Sequence, residues 1–113
     1  MGRNEMIPLQ SQEQFESFLG RNTAKKPDPI VLIRFTASWC GPCKRIDVNS
    51  LLSLSDKIKW YECDIDEHDY TAGYCGVKTI PSFLAIVNGK PQPLLSTSDT
   101  NQVINWIKGG FKQ

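Results

Sequence analysis

Ile30 to Ala37 reads Ile-Val-Leu-Ile-Arg-Phe-Thr-Ala, a nearly unbroken run of β-favouring residues carrying one charge, Arg34. A strand with one wet face alternates apolar and polar residues. A continuous run is instead the pattern of a strand covered on both faces, as in a sheet packed between helices. The chain must therefore supply helices for both sides of a sheet. Its 113 residues leave room for one domain, so 1–113 is read as a single domain with 1–5 as a polar tail.

The flanking sequence offers those helices. Met6 to Gln10 predicts a short edge strand. Ser11-Gln12-Glu13-Gln14 is a capping-box pattern, followed by Phe15, Phe18 and Leu19 on one helical face and Gly20 as a stop. Residues 21–29 are polar, with two prolines, and read as a loop. After Cys43 the chain predicts a helix, with Pro42 tolerated in its first turn and Val48, Leu51 and Leu52 on one side. Ile58 to Ile65 predicts a second strand, and Glu67 to Tyr74 a short helix ending near Gly76. Pro81 opens a third strand, Ser82 to Val87, and Asn88-Gly89 is a hairpin signal returning through Leu94 and Leu95. Asp99 and Gln102 make a capping pattern for a last helix whose apolar side is Val103, Ile104, Trp106 and Ile107. Alternation in the first half implies parallel strands, and the Asn-Gly turn adds an antiparallel hairpin.

Composition narrows the function. Apolar residues are 40% and charged residues 22%, a globular rather than a disordered balance. A net charge of +1 gives no reason to expect a nucleic-acid or membrane-surface partner. No apolar run approaches membrane-spanning length. The first residues lack the apolar stretch of a secretory signal, and Met6 stands where a myristoylation motif wants Ser or Thr. The expectation is a cytoplasmic protein in a reducing compartment. There the four cysteines, Cys40, Cys43, Cys63 and Cys75, are catalytic, metal-binding or free before they are structural bridges.

Cys40-Gly41-Pro42-Cys43 lies where the buried strand passes into a predicted helix. Two intervening residues let the sulfurs close a small ring. A helix N-terminus beside the first cysteine lowers its pKa, so that a thiolate exists near neutral pH. The second cysteine, one turn further in, is placed to attack after a mixed disulfide has formed. The plainer reading of a Cys-x-x-Cys is half of a zinc site. That needs a second ligand pair, and Cys63 and Cys75, eleven intervening residues apart, do not form one.

Phe35-Thr36-Ala37-Ser38-Trp39-Cys40-Gly41-Pro42-Cys43-Lys44 resembles the active-site segment of the thioredoxin family. Asp64-Ile65-Asp66 and Val77-Lys78-Thr79-Ile80-Pro81-Ser82-Phe83 are similar to that family at its usual distances, so the resemblance spans roughly residues 6–107. It implies an α/β thioredoxin fold: a central mixed β-sheet flanked by helices on both faces. The implied activity is protein-disulfide reduction, with Cys40 as nucleophile and Cys43 as resolver. Trp39 would flank the nucleophile, Pro81 would be the family's cis-proline, and Ile80 would offer its backbone to a substrate strand. Gly41 and Pro42 between the cysteines are associated in the family with reducing members. No cofactor is implied beyond a redox-active Cys40–Cys43 disulfide. The implied partners are a thioredoxin-reductase-type electron donor and disulfide-containing client proteins.

The resemblance has departures. Thioredoxins ordinarily carry a buried Asp where this chain has Arg34, and often Lys or Glu where it has Glu62. Two readings are open: Arg34 pairs with Glu62 beneath Cys43, or it snorkels to solvent along its aliphatic stem. Buried, it cannot accept a proton, but it favours a thiolate at Cys43 and a more oxidising dithiol. Val48 replaces a helix-kinking proline, Thr97 replaces a glycine, and the link from Cys43 to the second strand is about two residues short.

Cys63, mid-strand, reads as an inert buried thiol. Cys75 precedes Gly76 in the loop leading to Pro81, where some thioredoxins carry an extra cysteine. It is a candidate regulatory thiol, or a free thiol without a redox role; if exposed, it should link dimers under oxidant. His68, the one histidine, reads as a solvated residue at a helix start. Two rivals to a reductase are a disulfide oxidant or isomerase, which usually has His in place of Pro42, and a thioredoxin fold kept as a binding module.

Overall fold

The computed structural model describes residues 5–112. Six strands form one sheet: β1 (Met6–Pro8), β2 (Ile30–Thr36), β3 (Lys59–Asp64), β4 (Ser82–Val87), β5 (Lys90–Pro91) and β6 (Leu95–Ser96). Four helices surround it: α1 (Gln12–Phe18), α2 (Val48–Leu52), α3 (Asp69–Tyr74) and α4 (Thr100–Lys108). The order across the sheet is β1-β3-β2-β4-β5, and β6 also pairs with β4. Strands β1, β3 and β2 run parallel, while β4 is antiparallel to β2. This is the mixed sheet that the alternating first half and the Asn-Gly turn imply. Of the expected polar tail, residues 1–4 lie outside the described residues. No helix among the described residues is long and apolar enough to cross a membrane.

Strand β2 is central, and its continuous apolar run is covered twice. Val31, Ile33 and Phe35 point into a core shared with Phe15 and Phe18 of α1. Leu32 points the opposite way, into a core with Leu51 of α2 and Val103 and Trp106 of α4. Period-two alternation places Arg34 on this second face. There its register neighbours are Glu62 on β3 and Phe83 on β4.

Caps set the element ends. Ser11 accepts the Gln14 amide at 3.0 Å, but Gln14 Oε1 reaches back to the Gln10 amide at 2.8 Å instead of Ser11's. That contact ends β1 two residues before the expected Gln10. Gly20, at φ +78°, stops the chain after α1. Asn88 (φ 50°) and Gly89 (φ 82°) both adopt left-handed backbone, as a tight hairpin turn requires. The returning chain is split into β5 and β6, both paired with β4. Helix α3 starts at Asp69, two residues later than expected, because the Asp64 carbonyl and carboxylate accept the amides of Asp66, Glu67 and His68.

The predicted helix after Cys43 is broken. Pro42–Arg45 form a 3-10 turn, Ile46 is extended (φ −72°, ψ 127°), and α2 starts afresh at Val48. The local cause is Asp47, whose carboxylate accepts the Ser50 amide at 3.2 Å and caps α2. Its own amide donates to Thr100 Oγ1 of α4 at 2.9 Å. Hydrogen bonds from the Ser50 hydroxyl and amide hold the Asp47 carboxyl below the usual carboxylate range. The cap therefore contributes above the unfolded carboxylate pKa, and is lost as pH falls through the depressed value. Val48 in place of a proline does not give a continuous helix; the chain breaks two residues earlier.

Candidate functional site

Cys40, in the loop that follows β2, and Cys43, in the 3-10 turn, are joined as a disulfide with Cα atoms 5.3 Å apart. Both are buried, at 2% and 1% exposure, against Ala37, Ile65 and Ile80. Cys40 lies two residues ahead of a four-residue 3-10 turn rather than beside the N-terminus of a long helix. What remains of helix-terminal stabilisation is local. The Cys43 amide donates to Cys40 Sγ at 3.1 Å, a contact that favours a thiolate at Cys40 once the disulfide opens.

Trp39 stands beside this pair, 64% exposed, with its indole N–H donating to Asp66 Oδ2 at 2.9 Å. Trp39, Ile65, Ala72, Val77, Thr79 and Ile80 line an open groove of about 330 Å³. The Ile80–Pro81 peptide is cis. Ser82, fully buried, donates to the Thr79 carbonyl at 2.6 Å and lies 2.7 Å from Ser96 Oγ, tying this loop to β6. An exposed apolar ring and a groove next to a dithiol suit an extended peptide laid across the sulfurs. Asp66 orients Trp39, a role that its place in Asp64-Ile65-Asp66 does not reveal from sequence, since the two residues are 27 positions apart. Gly41 and Pro42 are exposed at the turn. Gly41 has an ordinary φ of −62° and open space where a Cβ would stand, so the backbone does not demand glycine there.

Arg34 is buried, and of the two open readings the structure shows pairing. Its Nη1 lies 2.5 Å from Glu62 Oε2 and its Nη2 donates to the Cys43 carbonyl at 2.8 Å. The guanidinium reaches the backbone of the second cysteine without reaching solvent.

Cys63 is fully buried and free, and Cys75, at the end of α3, is half-buried and free. Burial pushes both thiols up to about 12. At pH 8 about one part in ten thousand of such a thiol is ionised. Iodoacetamide at pH 8 is therefore expected to spare Cys63 and Cys75 in the native reduced protein and to label them after denaturation, as peptide mapping would read. Cys75 is partly exposed and its neighbours Tyr74 and Gly76 are exposed, so the access that Cys75-linked dimers need is present, and non-reducing gels under oxidant should show more dimer in wild type than in Cys75→Ser. Among the described residues no group of His, Cys, Asp and Glu is placed to hold a metal ion.

The thioredoxin family model matches residues 7–109. A chloroplastic M-type thioredoxin of Brassica napus is 37% identical over 87 residues, covering 74% of this chain; the chain spans 46% of that longer protein. Thioredoxin of Malassezia sympodialis is 34% identical over 86 residues, covering 73% of this chain and 76% of that protein. The crystal structure of a Malassezia sympodialis thioredoxin superposes with a TM-score of 0.81 at 26% identity, covering 97% of this chain and 94% of that one.

Proposed function

The chain belongs to the thioredoxin family and is a thiol–disulfide oxidoreductase, and we propose that it runs in the reducing direction, with Cys40 as nucleophile and Cys43 as resolver. The observation that carries this reading is the Cys40–Cys43 disulfide beside an exposed Trp39 and an open groove. In the reduced protein, the Cys40 thiolate attacks one sulfur of a client disulfide. A Cys40–client bond forms, the client S–S bond breaks, and one client thiolate leaves. Cys43, deprotonated, then attacks Cys40 Sγ, closing the internal disulfide and releasing the second client thiolate. Two electrons pass from the dithiol to the client, and the sulfurs hold them without a bound cofactor.

Return to the dithiol needs an external donor of the thioredoxin-reductase type, which makes the protein an electron carrier between that donor and its clients. A reducing compartment suits this direction, and we assign the cytoplasm. Cys63 and Cys75, both free, are consistent with it. Insulin reduction with dithiothreitol tests the reading: wild type should speed precipitation of the insulin B chain, and Cys40→Ser should match the uncatalysed rate. Equal rates for both proteins would favour a binding module.

A further inference from the structure

Two donors meet at the carbonyl oxygen of Cys43, one from β2 and one from its own turn. In a continuous α-helix it would accept the amide four residues on, that of Asp47. Here the extended Ile46 turns that amide away to Thr100 Oγ1. The nearest backbone donor left is the Ile46 amide, long at 3.4 Å. Arg34 Nη2 fills the place at 2.8 Å, from β2, on the face of the sheet opposite Ile33 and Phe35. Glu62 on β3 holds the other end of the guanidinium, and Arg34 is 8% exposed.

We propose that Arg34 is a positioning residue for the resolving step: it replaces the missing helical amide at Cys43 and keeps a cation beside the resolving sulfur. This rests on the reading of Cys43 as resolver. Covalent geometry keeps a cysteine's own carbonyl oxygen and sulfur within about 5 Å, and with Nη2 at 2.8 Å from that oxygen it lies no more than about 8 Å from Cys43 Sγ whichever rotamer the side chain takes. Arg34 is the one charged residue buried among the described residues, and burial limits solvent screening of its field. The other charges around Cys43 are Glu62 from β3, partly exposed, and Lys44 and Arg45 on the turn itself, both exposed. Asp47, ahead of α2, is exposed as well.

A cation at this distance favours the Cys43 thiolate, which is the species that attacks. Arginine stays protonated throughout and takes no proton itself; that of Cys43 passes to solvent. Glu62 holds the guanidinium in place and offsets part of its field. Removing the cation and removing its counter-ion should therefore move the resolving step in opposite directions. A strut that acted only by packing would not do so.

One equivalent of Ellman's reagent, followed by stopped-flow absorbance, separates the two steps. The first thionitrobenzoate is released by Cys40 attack and the second by Cys43 attack on the mixed disulfide. Arg34→Gln should leave the first phase unchanged and move the pH midpoint of the second up, by about one unit for a tenfold loss of thiolate. Arg34→Lys should restore it, and Glu62→Gln should move it down. A midpoint for the second phase that is the same in wild type, Arg34→Gln and Glu62→Gln overturns the proposal. Shifts of equal sign in the two variants also overturn it. If Arg34→Gln fails to fold, the half-exposed Glu62→Gln still decides the sign. Absence of a second phase in wild type would instead sink the assignment of Cys43 as resolver.

Discussion

Cys43→Ser is expected to turn the chain from a catalyst into a trap. Cys40 keeps its place beside Trp39 and keeps the amide of residue 43 on its sulfur, since that contact comes from the backbone. It can still attack a client disulfide. What is lost is the internal nucleophile, because a serine hydroxyl is not ionised at neutral pH and does not displace a thiolate. The mixed disulfide then waits for an external thiol, and its lifetime moves from seconds toward hours. Non-reducing electrophoresis with mass spectrometry should show client proteins linked through Cys40 in Cys43→Ser, and none in Cys40→Ser. Peptide mapping that found Cys43 variants unlinked and Cys40 variants linked would reverse the roles. Burial of Cys40 in the disulfide sharpens this test, because neither sulfur is favoured by exposure alone.

Phe83→Ala should be strongly destabilising. Phe83 is fully buried on β4, in register with Arg34, and meets Trp60 edge-to-face at 6.3 Å between ring centroids. The sheet on one side and the core with α2 and α4 on the other leave little room for collapse into the cavity. Large-to-small changes of this kind cost about 3–5 kcal/mol. For a domain of this size that lowers Tm by roughly 20 °C. Urea titration should show a lower midpoint with an unchanged slope. Tyr70→Ala, at a site 67% exposed, should stay within about 0.5 kcal/mol of wild type. Comparable losses at both positions would mean that the packing described around Phe83 is wrong.

Much of the fold was legible because local pattern and tertiary role coincide. The unbroken apolar run at Ile30–Ala37 foretold a strand covered twice, and β2 is that strand. Asn88-Gly89 named its own turn, since few other pairs tolerate left-handed backbone twice in succession. Ile80-Pro81 matched its family motif and is cis. The helix break was not legible. Asp47 looked like one polar residue inside a periodic segment, and the contact that draws its amide away comes from Thr100, 53 residues later. Nor could spacing choose between the two readings of Arg34. An arginine on a buried strand can follow either course until the neighbouring strand's register is known, and Glu62 is the residue that parallel register puts beside it.

The break at Ile46 also bears on how this chain can change length. In an uninterrupted helix, adding or removing a residue rotates everything beyond it by about 100°. The active-site turn here is moored independently, by Arg34 from β2 and, just after it, by Thr100 holding Asp47. Insertions or deletions between α2 and β3 need not propagate backward into the dithiol, because Ile46 resets the backbone direction before α2 begins. The segment can change length while the sulfurs keep their setting. Reactivity and loop length become separately adjustable, so the exposed loop after α2 is where a graft or a tag can enter without disturbing the redox centre.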